Sequence, residues 1–385
     1  IERHREDGHQ RLYNDYFAEN PTYPEEKFRC RFRMRRNLFL RIVEGVTNQD
    51  PYFQSNPDCT GRESFSALQK CTASMRMLAY GTAADSVNEY MRIAESTTAE
   101  CVQHFVRAVN AAFGDEYLRR PNATDIARLL HVGQQRGFPG MLGSIDCMHW
   151  EWKNCPTAWK GQYARGDHKT PTIMLEAVAS QDLWIWHAFF GLPGTLNDIN
   201  VLDRSPVFYE VLEGKAPKIQ YSVNGSNYNL GYYLTDGIYP NWATFVKSIP
   251  LPQGPKHKLF AKKQEAARKD VERAFGVLQA RFAIINGPSR MWCKGIMGDI
   301  TRACVIMHNM IVEDERDSYI RHFDYTHDEV NFNVSMPTVS QSRLPEYEEY
   351  LRNNARIRNL STNSRLQADL IEEIWSRFGD EEEDD

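Results

Sequence analysis

The stretch GSIDCMHWEW, residues 143–152, indicates a β-strand with a mostly apolar start that carries Asp146 in its interior. An unpaired carboxylate in such a strand has a large desolvation cost, so another group must compensate Asp146. Strand and helix patterns alternate after it: strands at 171–180 and 183–190 that read as a hairpin, a helix at 197–212, a strand at 231–235 and a long helix at 264–282. This order predicts an α/β (α+β) fold in which helices pack on a mixed sheet.

The segment before this sheet predicts a small helical domain. Its helices are expected at 65–78, stopped by Gly81, at 84–91, and at 97–113 with Ser96 as the N-cap. A short helix, a tight turn at 92–95 and a capped longer helix form the outline of a helix-turn-helix. Any small helical bundle has the same outline, so the spacing alone is only a weak indication of DNA binding.

Composition excludes several classes of protein. The chain has 385 residues, 42% of them apolar, which is ample for buried cores in two or three globular domains. No run approaches the roughly 18–20 apolar residues of a bilayer span, so no membrane-spanning segment is expected. Eight cysteines without a CxxC pair favour a reduced, intracellular protein over a disulfide-stapled one.

Charge is strongly segregated along the chain, although the net charge is only -5. Residues 380–385 are all acidic, and we expect them to form a solvated tail. Residues 27–41 carry seven Lys or Arg and no acid, and the alternating arginines predict an extended arm that becomes a helix near Leu38. Residues 256–294 carry ten bases against three acids. Because phosphate contacts are local and screened within about 10 Å, these two stretches predict nucleic-acid contacts.

Three acids stand on successive elements of the predicted sheet domain. Asp146 lies in the first strand, Asp236 closes the strand at 231–235, and Glu272 lies on the next long helix. Taken singly, each has a structural explanation: an internal arginine partner for Asp146, an Asx turn at Asp236, and an i, i+4 surface pair for Glu272. Taken together, they have the order in which a ribonuclease-H-like sheet assembles three carboxylates around two divalent metal ions.

Five motifs extend this pattern: GSIDCMHWEWKNCPTAW (143–159), LEAVASQDLWIWHAFFGLPGTLNDINVL (175–202), LTDGIYP (234–240), VERAFGVLQARF (271–282) and CVIMHNMIVEDE (304–315). In these motifs the chain resembles the PIF/Harbinger transposases, most closely their plant Pong-like branch. The resemblance implies a ribonuclease-H-like core with Asp146, Asp236 and Glu272 as catalytic acids. Asp198 also matches an acidic family position; we interpret it as a helix cap or, like His149, as a residue that supports the metal ligands.

The chemistry that the resemblance implies is metal-dependent DNA cleavage and strand transfer by a DDE-type enzyme. Two Mg²⁺ or Mn²⁺ ions per site would stabilise the attacking and leaving oxygens, and carboxylates are the ligands that these hard ions prefer. Like charges 4 Å apart repel by about 4 kcal/mol at an effective dielectric near 20. The acidic cluster is therefore expected to be strained without metal.

The resemblance also implies partners and a location. The DNA substrates are terminal inverted repeats and a TTA-type target, a Myb-like DNA-binding protein is the accessory partner, and the nucleus is the compartment. Because two transposon ends must be held together, a homodimer or larger assembly is expected. The residues expected to contact DNA are Arg29, Arg31, Arg33, Arg35, Arg36, Thr97, Thr98, His104, Lys256, Lys258, Lys262, Lys263, Arg268, Lys269 and Arg273.

These predictions divide the chain into four parts: a basic arm and helix at 1–60, a helix-turn-helix-like DNA-binding domain at 61–135, the catalytic domain at 136–320, and C-terminal helices with the acidic tail at 321–385. Two other functions stay open. One is a domesticated, non-catalytic chromatin or transcription protein, which the presence of all three acids disfavours. The other is a general ribonuclease-H-like nuclease without strand transfer, which the motifs outside the three acids disfavour.

Overall fold

The computed structural model describes residues 4–55, 57, 61, 63–166, 170–320 and 347–380. Within these residues the strands are β1 (Met141–Glu151), β2 (Thr172–Ala179), β3 (Ile185–Pro193), β4 (Tyr221–Val223), β5 (Ser226–Tyr228), β6 (Tyr232–Thr235) and β7 (Phe245–Lys247). Five strands form one mixed sheet in the order β3-β2-β1-β6-β7, while β4 and β5 form a separate hairpin. Strands β1, β2 and β3 pair antiparallel, whereas β6 runs parallel to both β1 and β7. The α+β class predicted from the sequence is confirmed.

Helices surround this sheet and make up most of the N-terminal third. In chain order they are α1 (Arg5–Tyr16), α2 (Glu25–Phe32), α3 (Arg36–Gln49), α4 (Ala67–Tyr80), α5 (Asp85–Met91), α6 (Glu95–Tyr117), α7 (Ala123–Gln135), α8 (Thr157–Tyr163), α9 (Asp198–Leu202), α10 (Tyr209–Leu212), α11 (Gly254–Arg281), α12 (Lys294–Ile320), α13 (Tyr347–Ile357) and α14 (Leu360–Phe378). None of the helices in the described residues is both long and apolar enough to cross a bilayer.

Two faces of the sheet are covered by different helices. On one face, Met148 and Trp150 of β1 enter a core that also contains residues of α6, α11 and α12. On the other face, Ile145 packs with Leu202 of α9 and with Phe208. The first core reaches back to Leu12 of α1. Residues from both sides of the boundary predicted at 135–136, such as Leu129 and Met148, contribute to this core.

The predicted hairpin is present as β2 and β3, and the three predicted helices before the sheet are present as α4, α5 and α6. Gly81 ends α4 in the left-handed conformation, with φ of 63°, which glycine adopts without steric cost. Ser96 is not the N-cap of α6, because the helix already begins at Glu95 after Ala94.

Two helices differ in extent from the prediction. The helix expected at 197–212 is divided into α9 and α10, because Pro206 cannot continue a helix and instead begins a short 3-10 segment. The helix expected at 264–282 begins at Gly254. Its first turn accommodates Pro255, whose missing N–H has no partner at a helix start in any case. The lysine-rich stretch that reads as a loop in the sequence is therefore helical.

The extended arm expected at the alternating arginines is wrong, because residues 25–32 form α2. Phe28 and Phe32 lie four positions apart, are fully buried, and stack with ring centroids 4.1 Å apart. Phe39 of α3 completes this aromatic cluster. Burial of these rings at helical spacing outweighs the alternation of the charged residues between them. The acidic tail beyond Asp380 lies outside the described residues.

Candidate active site

Asp146 lies on β1, and Asp236 directly follows the neighbouring parallel strand β6. Strands β1 and β6 pair with Ser144 opposite Leu234. Two residues further along, β1 carries Asp146 and the chain leaving β6 carries Asp236. Since adjacent strands in a sheet are about 5 Å apart, this register sets the two carboxylates side by side. The sheet thus brings together two acids that are distant in sequence.

Helix α11 is fixed across these strand ends by two buried polar side chains. Ser144 Oγ donates a hydrogen bond of 3.0 Å to the carbonyl oxygen of Ala267. Gln264 Nε2 donates to the backbone oxygens of Thr235 and Val246, each at 3.0 Å. These bonds tie the middle of α11 to β1, β6 and β7. The following turn of the helix therefore lies at the edge of the sheet that carries the two aspartates.

Arg268 links α11 to the first of these acids. Its Nη1 atom lies 3.6 Å from Asp146 Oδ2 and 2.6 Å from Glu272 Oε1. The Glu272 side chain is 42% exposed, whereas those of Arg268 and Asp146 are less than a fifth exposed. A single guanidinium nitrogen thus contacts two of the three predicted catalytic acids. Arg268 is predicted from sequence to contact DNA, and its i, i+4 spacing from Glu272 is the signal that points to this pair instead.

The third acid has its own local partner. Asp236 Oδ1 accepts a hydrogen bond of 3.1 Å from the backbone N–H of Ile238, which is an Asx turn. The arginine partner of Asp146, the Asx turn at Asp236 and the i, i+4 pair of Glu272 are therefore all observed. The Arg268 contacts link Asp146 to Glu272, and the Asx turn fixes Asp236 at the end of β6.

The electrostatics at this edge reflect an excess of negative charge. Burial raises the pKa of Asp146 to about 6, and the nearby charges of Asp198 and Asp236 act in the same direction. The backbone N–H of Cys147, which donates to Asp146 at 2.8 Å, and the charge of Arg268 oppose this increase. Burial and the charge of Asp236 likewise raise the pKa of Asp198. Asp146, Asp198 and Asp236 are therefore close enough for their charges to influence one another.

Asp198 does not cap its helix. The cap of α9 is Asn197, whose side chain accepts a hydrogen bond of 2.9 Å from the N–H of Asn200. Asp198 is the first residue of the helix, and its carboxyl group interacts with the Cys147 thiol. The helix-cap interpretation is therefore wrong, and Asp198 lies near Asp146 and Asp236 as an additional acid.

The side chains at this edge are carboxylates and one guanidinium. No group of three or more His, Cys, Asp or Glu side chains within the described ranges is arranged to hold a metal. The acids at this edge nevertheless offer only carboxylate oxygens, which suit Mg²⁺ or Mn²⁺. The Arg268 guanidinium lies where it contacts two of them. The donor type therefore suits a hard divalent ion, while the arrangement of the described side chains is occupied by the Arg268 contacts.

The two histidines near these motifs have structural partners. His149 Nδ1 lies 3.0 Å from Thr172 Oγ1, and His149 Nε2 lies 3.3 Å from Arg165 Nη1. His308 is fully buried, and its Nε2 lies 2.8 Å from the carbonyl oxygen of Leu183. Burial lowers the pKa of His308 to about 3, so the ring is neutral in the folded protein.

All five predicted DNA-contacting arginines before α3 and at its start have partners within the chain. Arg29 pairs with Glu315, Arg31 contacts the Tyr16 hydroxyl, Arg33 donates to the carbonyl oxygen of Cys30 at 3.0 Å, Arg35 lies 3.6 Å from Asp314, and Arg36 lies 3.5 Å from Glu25. These contacts fix the N-terminal helices to one another and to α12. The residues are therefore part of the folded body and not of a free basic arm.

The predicted contacts on α6 are largely turned inward. Thr98 is fully buried, which corrects its placement on an exposed face. It precedes Cys101 and Phe105 by three and seven positions and so lies on the apolar stripe of the helix. His104 Nδ1 lies 2.6 Å from Asp50 Oδ2, and its ring stacks on Tyr52. Thr97 is partly exposed at the start of the helix.

The predicted contacts on α11 fall into two sets. Lys258, Lys262 and Lys269 are exposed and follow the helical spacing that also exposes Glu272, so they form one stripe with it. This stripe is about 20 Å long at 1.5 Å per residue. In the second set, Lys256 lies 2.6 Å from Glu372, Lys263 lies 3.8 Å from the Phe378 ring centroid, and Arg273 pairs with Asp270.

Comparison with known proteins places the chain in a family. The family model described as plant transposon protein matches residues 115–319, more than half of the chain. The chain belongs to this plant transposon protein family. The match runs from the end of α6 into α12 and includes β1, β6 and α11, so all three acids of the candidate site lie within the family domain. A second family model, of a domain of unknown function, matches residues 8–47.

Curated relatives support a Harbinger-type, transposase-derived family. "Protein ALP1-like" of Arabidopsis thaliana is 24% identical over 301 residues, which cover 75% of this chain and 71% of that protein. "Putative nuclease HARBI1" of Homo sapiens is 21% identical over 67% of this chain and 66% of that protein. The Bos taurus protein of the same name is 23% identical, and the match covers 56% of this chain and 54% of the Bos taurus protein. No solved structure matches the chain significantly.

Proposed function

We propose that the protein is a DNA transposase with a nuclease centre formed by Asp146, Asp236 and Glu272. The observation that carries this proposal is the register of β1 and β6, which sets two of these acids side by side at the edge crossed by α11. The transposon protein family and relatives named as nucleases support it. The strand order β3-β2-β1-β6-β7, antiparallel in its first half and parallel in its second, supports a ribonuclease-H-like core.

The three acids would hold two Mg²⁺ or Mn²⁺ ions, and the bound ions would stabilise the attacking and leaving oxygens of a phosphodiester. The chain itself would bind and orient the DNA. Lys258, Lys262 and Lys269 share an exposed stripe with Glu272 and all precede it on α11, so they would bind phosphates on one side of the cleaved bond. Asp198 would support the ligands through its negative charge beside Asp146.

Arg268 has a positioning role in this proposal. While it contacts Asp146 and Glu272, it neutralises the acids and orients them toward one another. Its guanidinium would turn toward DNA phosphate as the acids engage metal. The chain thus carries a cation that stabilises the cluster before substrate binds.

The finer parts of the proposal follow from the Pong-like resemblance. The enzyme would cut terminal inverted repeats and join their 3'-hydroxyl groups to TTA-type target DNA. It would act in the nucleus with a Myb-like accessory protein, as a homodimer or larger assembly that holds two ends. Helices α5 and α6 would form the helix-turn-helix-like unit, with Thr97 at its accessible edge.

The test uses the full chain, the Myb-like partner, Mg²⁺ or Mn²⁺, and DNA that carries the terminal repeats. We expect nicking and joining at the repeat ends, reduced about 10³-fold or more in Asp146→Asn and Glu272→Gln. Glu265→Gln is the matched control, because Glu265 is an exposed acid on the same helix. Robust cleavage by Asp146→Asn in Mg²⁺ would contradict the assignment, and cutting without end preference would indicate a general nuclease.

One observation favours a second candidate function. The Arg268 contacts with Asp146 and Glu272 would also suit a non-catalytic, transposase-derived chromatin or transcription protein, in which the acids serve only as ion-pair partners. In that case the chain would bind DNA or its partner, and neither metal ion would produce nicked ends in the same assay.

A further inference from the structure

A basic and aromatic surface lies beyond the end of β1, outside the acidic edge. It is built from two segments, residues 152–166 and 286–298, which together carry five Lys or Arg and no Asp or Glu. We call it the tryptophan–lysine surface, defined by Lys153, Trp159, Lys160, Arg290, Trp292 and Lys294. Arg290 and Lys294 lie in the basic stretch 256–294, but none of the six residues is among the individual DNA contacts predicted from the sequence. The absence of acids from both segments is the signal that could have identified them.

Hydrogen bonds join the two segments into one surface. The backbone N–H of Lys153 donates to the carbonyl oxygen of Ser289 at 2.9 Å. Asn154 Nδ2 donates to the carbonyl oxygen of Arg290 at 2.6 Å. The bases on either side of this seam are therefore held next to each other by backbone contacts, although 137 positions separate Lys153 from Arg290.

Helix α8 is fixed to the same seam by aromatic packing. The buried ring of Trp152 lies 5.9 Å from the ring of Trp159 and 5.2 Å from that of Tyr163. Lys294 Nζ donates to the Tyr163 hydroxyl at 3.5 Å. Trp159 and its neighbour Lys160 are thus held on a rigid support, with their outer faces toward solvent.

Two tryptophans on this surface are unusually accessible. Trp292 is 70% exposed and Trp159 is 44% exposed, whereas Trp150, Trp152, Trp184 and Trp186 are buried in the core. The Trp292 ring has no aromatic or cation partner among the described residues. Single exposed apolar residues are common. Exposed tryptophan next to basic side chains, however, is typical of surfaces that stack nucleic-acid bases and bind phosphates.

The bases of the surface are available as well. Lys153, Lys160 and Arg290 are exposed, and none of them pairs with an acidic side chain in the described part of the chain. This contrasts with the arginines of residues 29–36, each of which has an internal partner. The surface therefore has a positive potential that a polyanion can use.

The surface continues toward the acidic edge. Arg165 follows the end of α8 and contacts His149 of β1 at 3.3 Å. Its charge is also close enough to Asp198 to oppose the burial that raises the pKa of that carboxyl group. A strand bound along α8 would thus run from the tryptophans to the acids.

We propose that the tryptophan–lysine surface binds the unpaired end of a DNA strand next to the acidic site. Base faces would stack on Trp159 and Trp292, and phosphates would contact Lys153, Lys160 and Arg290. Paired bases inside a duplex offer no free face to an indole ring, so this surface favours unpaired over fully paired DNA. The inference rests on the proposed function only in taking DNA as the ligand.

The test measures equilibrium binding of the full chain in EDTA, so that cleavage plays no part. Fluorescence anisotropy compares a blunt duplex with the same duplex carrying an unpaired strand end. We expect Trp292→Ala to weaken binding of the unpaired end about 10- to 100-fold and to change blunt-duplex binding little. Trp292→Phe should restore most of the loss because it keeps an aromatic face. Tyr209→Ala is the control, since Tyr209 is 53% exposed on the distant helix α10.

Other outcomes would overturn the inference. An equal loss on both probes, or no loss on either, would contradict stacking of unpaired bases. Unchanged DNA binding with a change of sedimentation from dimer to monomer in Trp292→Ala would make the surface an interface between copies of the chain. If Trp292→Ala loses the unpaired end but the wild-type protein never cuts DNA with Mg²⁺ or Mn²⁺, the stacking surface stands and the nuclease proposal fails.

Discussion

Residues 27–41 and the tryptophan–lysine surface are both rich in bases and free of acids in the sequence, yet the folded chain uses them differently. Arg29 and Arg35 of the first region contact Glu315 and Asp314 on α12, about 280 positions away. Lys153 and Arg290 of the second region have no acidic partner in the described residues. Charge density in sequence therefore does not measure charge that is free to bind a ligand. The partner acids decide this, and they come from distant elements.

The first region forms part of a buried polar network. Glu315 is nearly inaccessible and contacts both Arg29 and Arg281, the latter at 3.1 Å. Arg281 also lies 3.1 Å from His308 Nδ1. Since His308 is neutral, the charge of Glu315 is balanced by the two arginines. Basic residues near the N-terminus thus stabilise the contact between α2, α11 and α12.

The largest expected effect comes from breaking this network. Glu315→Ala leaves the mostly buried Arg281 without its carboxylate, and removing one partner of a buried pair typically costs about 3–5 kcal/mol of folding stability. Urea denaturation of the full chain would measure the loss in the free energy of unfolding. Lys153→Ala should change it by less than about 0.5 kcal/mol, because it removes an unpaired surface charge. Equal stabilities for the two variants would refute the difference between the two regions.

A smaller effect is expected on DNA binding when the bases of the tryptophan–lysine surface are removed. We expect replacement of Lys153, Lys160 and Arg290 by Gln to reduce the slope of log affinity against log salt by about two to three in magnitude. At about 0.15 M salt the variant should bind DNA about 10- to 100-fold more weakly than the wild-type chain, and this difference should shrink at high salt. Arg35→Gln with Arg36→Gln is the matched variant, and it should leave the slope unchanged because Asp314 and Glu25 already pair with these two arginines. If only the variant of the two N-terminal arginines changes the slope, the N-terminal region and not the tryptophan–lysine surface contacts DNA.

Local patterns in the sequence predict much of the fold. The β2–β3 hairpin and helices α4 to α6 follow from periodicity and turn residues, and they lie close to the predicted positions. The helix at 25–32 is missed because alternating arginines obscure the spacing of Phe28 and Phe32, whose burial determines the conformation. Local sequence also cannot show that Pro255 lies in the first turn of α11 and not in a loop.

Some features of the candidate site can also be predicted from the sequence, whereas others depend on the tertiary structure. The order of Asp146, Asp236 and Glu272 along the chain, together with the family motifs, is sufficient to single out these acids. Asp146 and Asp236 lie at the same height along β1 and β6 because of the register of these strands, and only the packed sheet fixes that register. The accessibility of Trp292 and the burial of Thr98 are likewise properties of the tertiary packing. Sequence identifies chemically capable residues, and the fold determines which of them face a ligand.

Arg268 provides the smallest and most selective test, because it is the cation whose partners are the candidate catalytic acids. Arg268→Gln removes the only described cation seen between Asp146 and Glu272, leaving their repulsion uncompensated. Glu272 is substantially exposed, so we expect the free energy of unfolding in EDTA to fall by only about 0.5–1 kcal/mol. Mn²⁺ should restore this stability and should bind more tightly than to the wild-type chain, as measured by electron paramagnetic resonance of free Mn²⁺. Lys269→Gln, one position along the helix, should change neither quantity. If Arg268→Gln binds Mn²⁺ no better than Lys269→Gln does, the guanidinium and the metal do not compete for the same carboxylates.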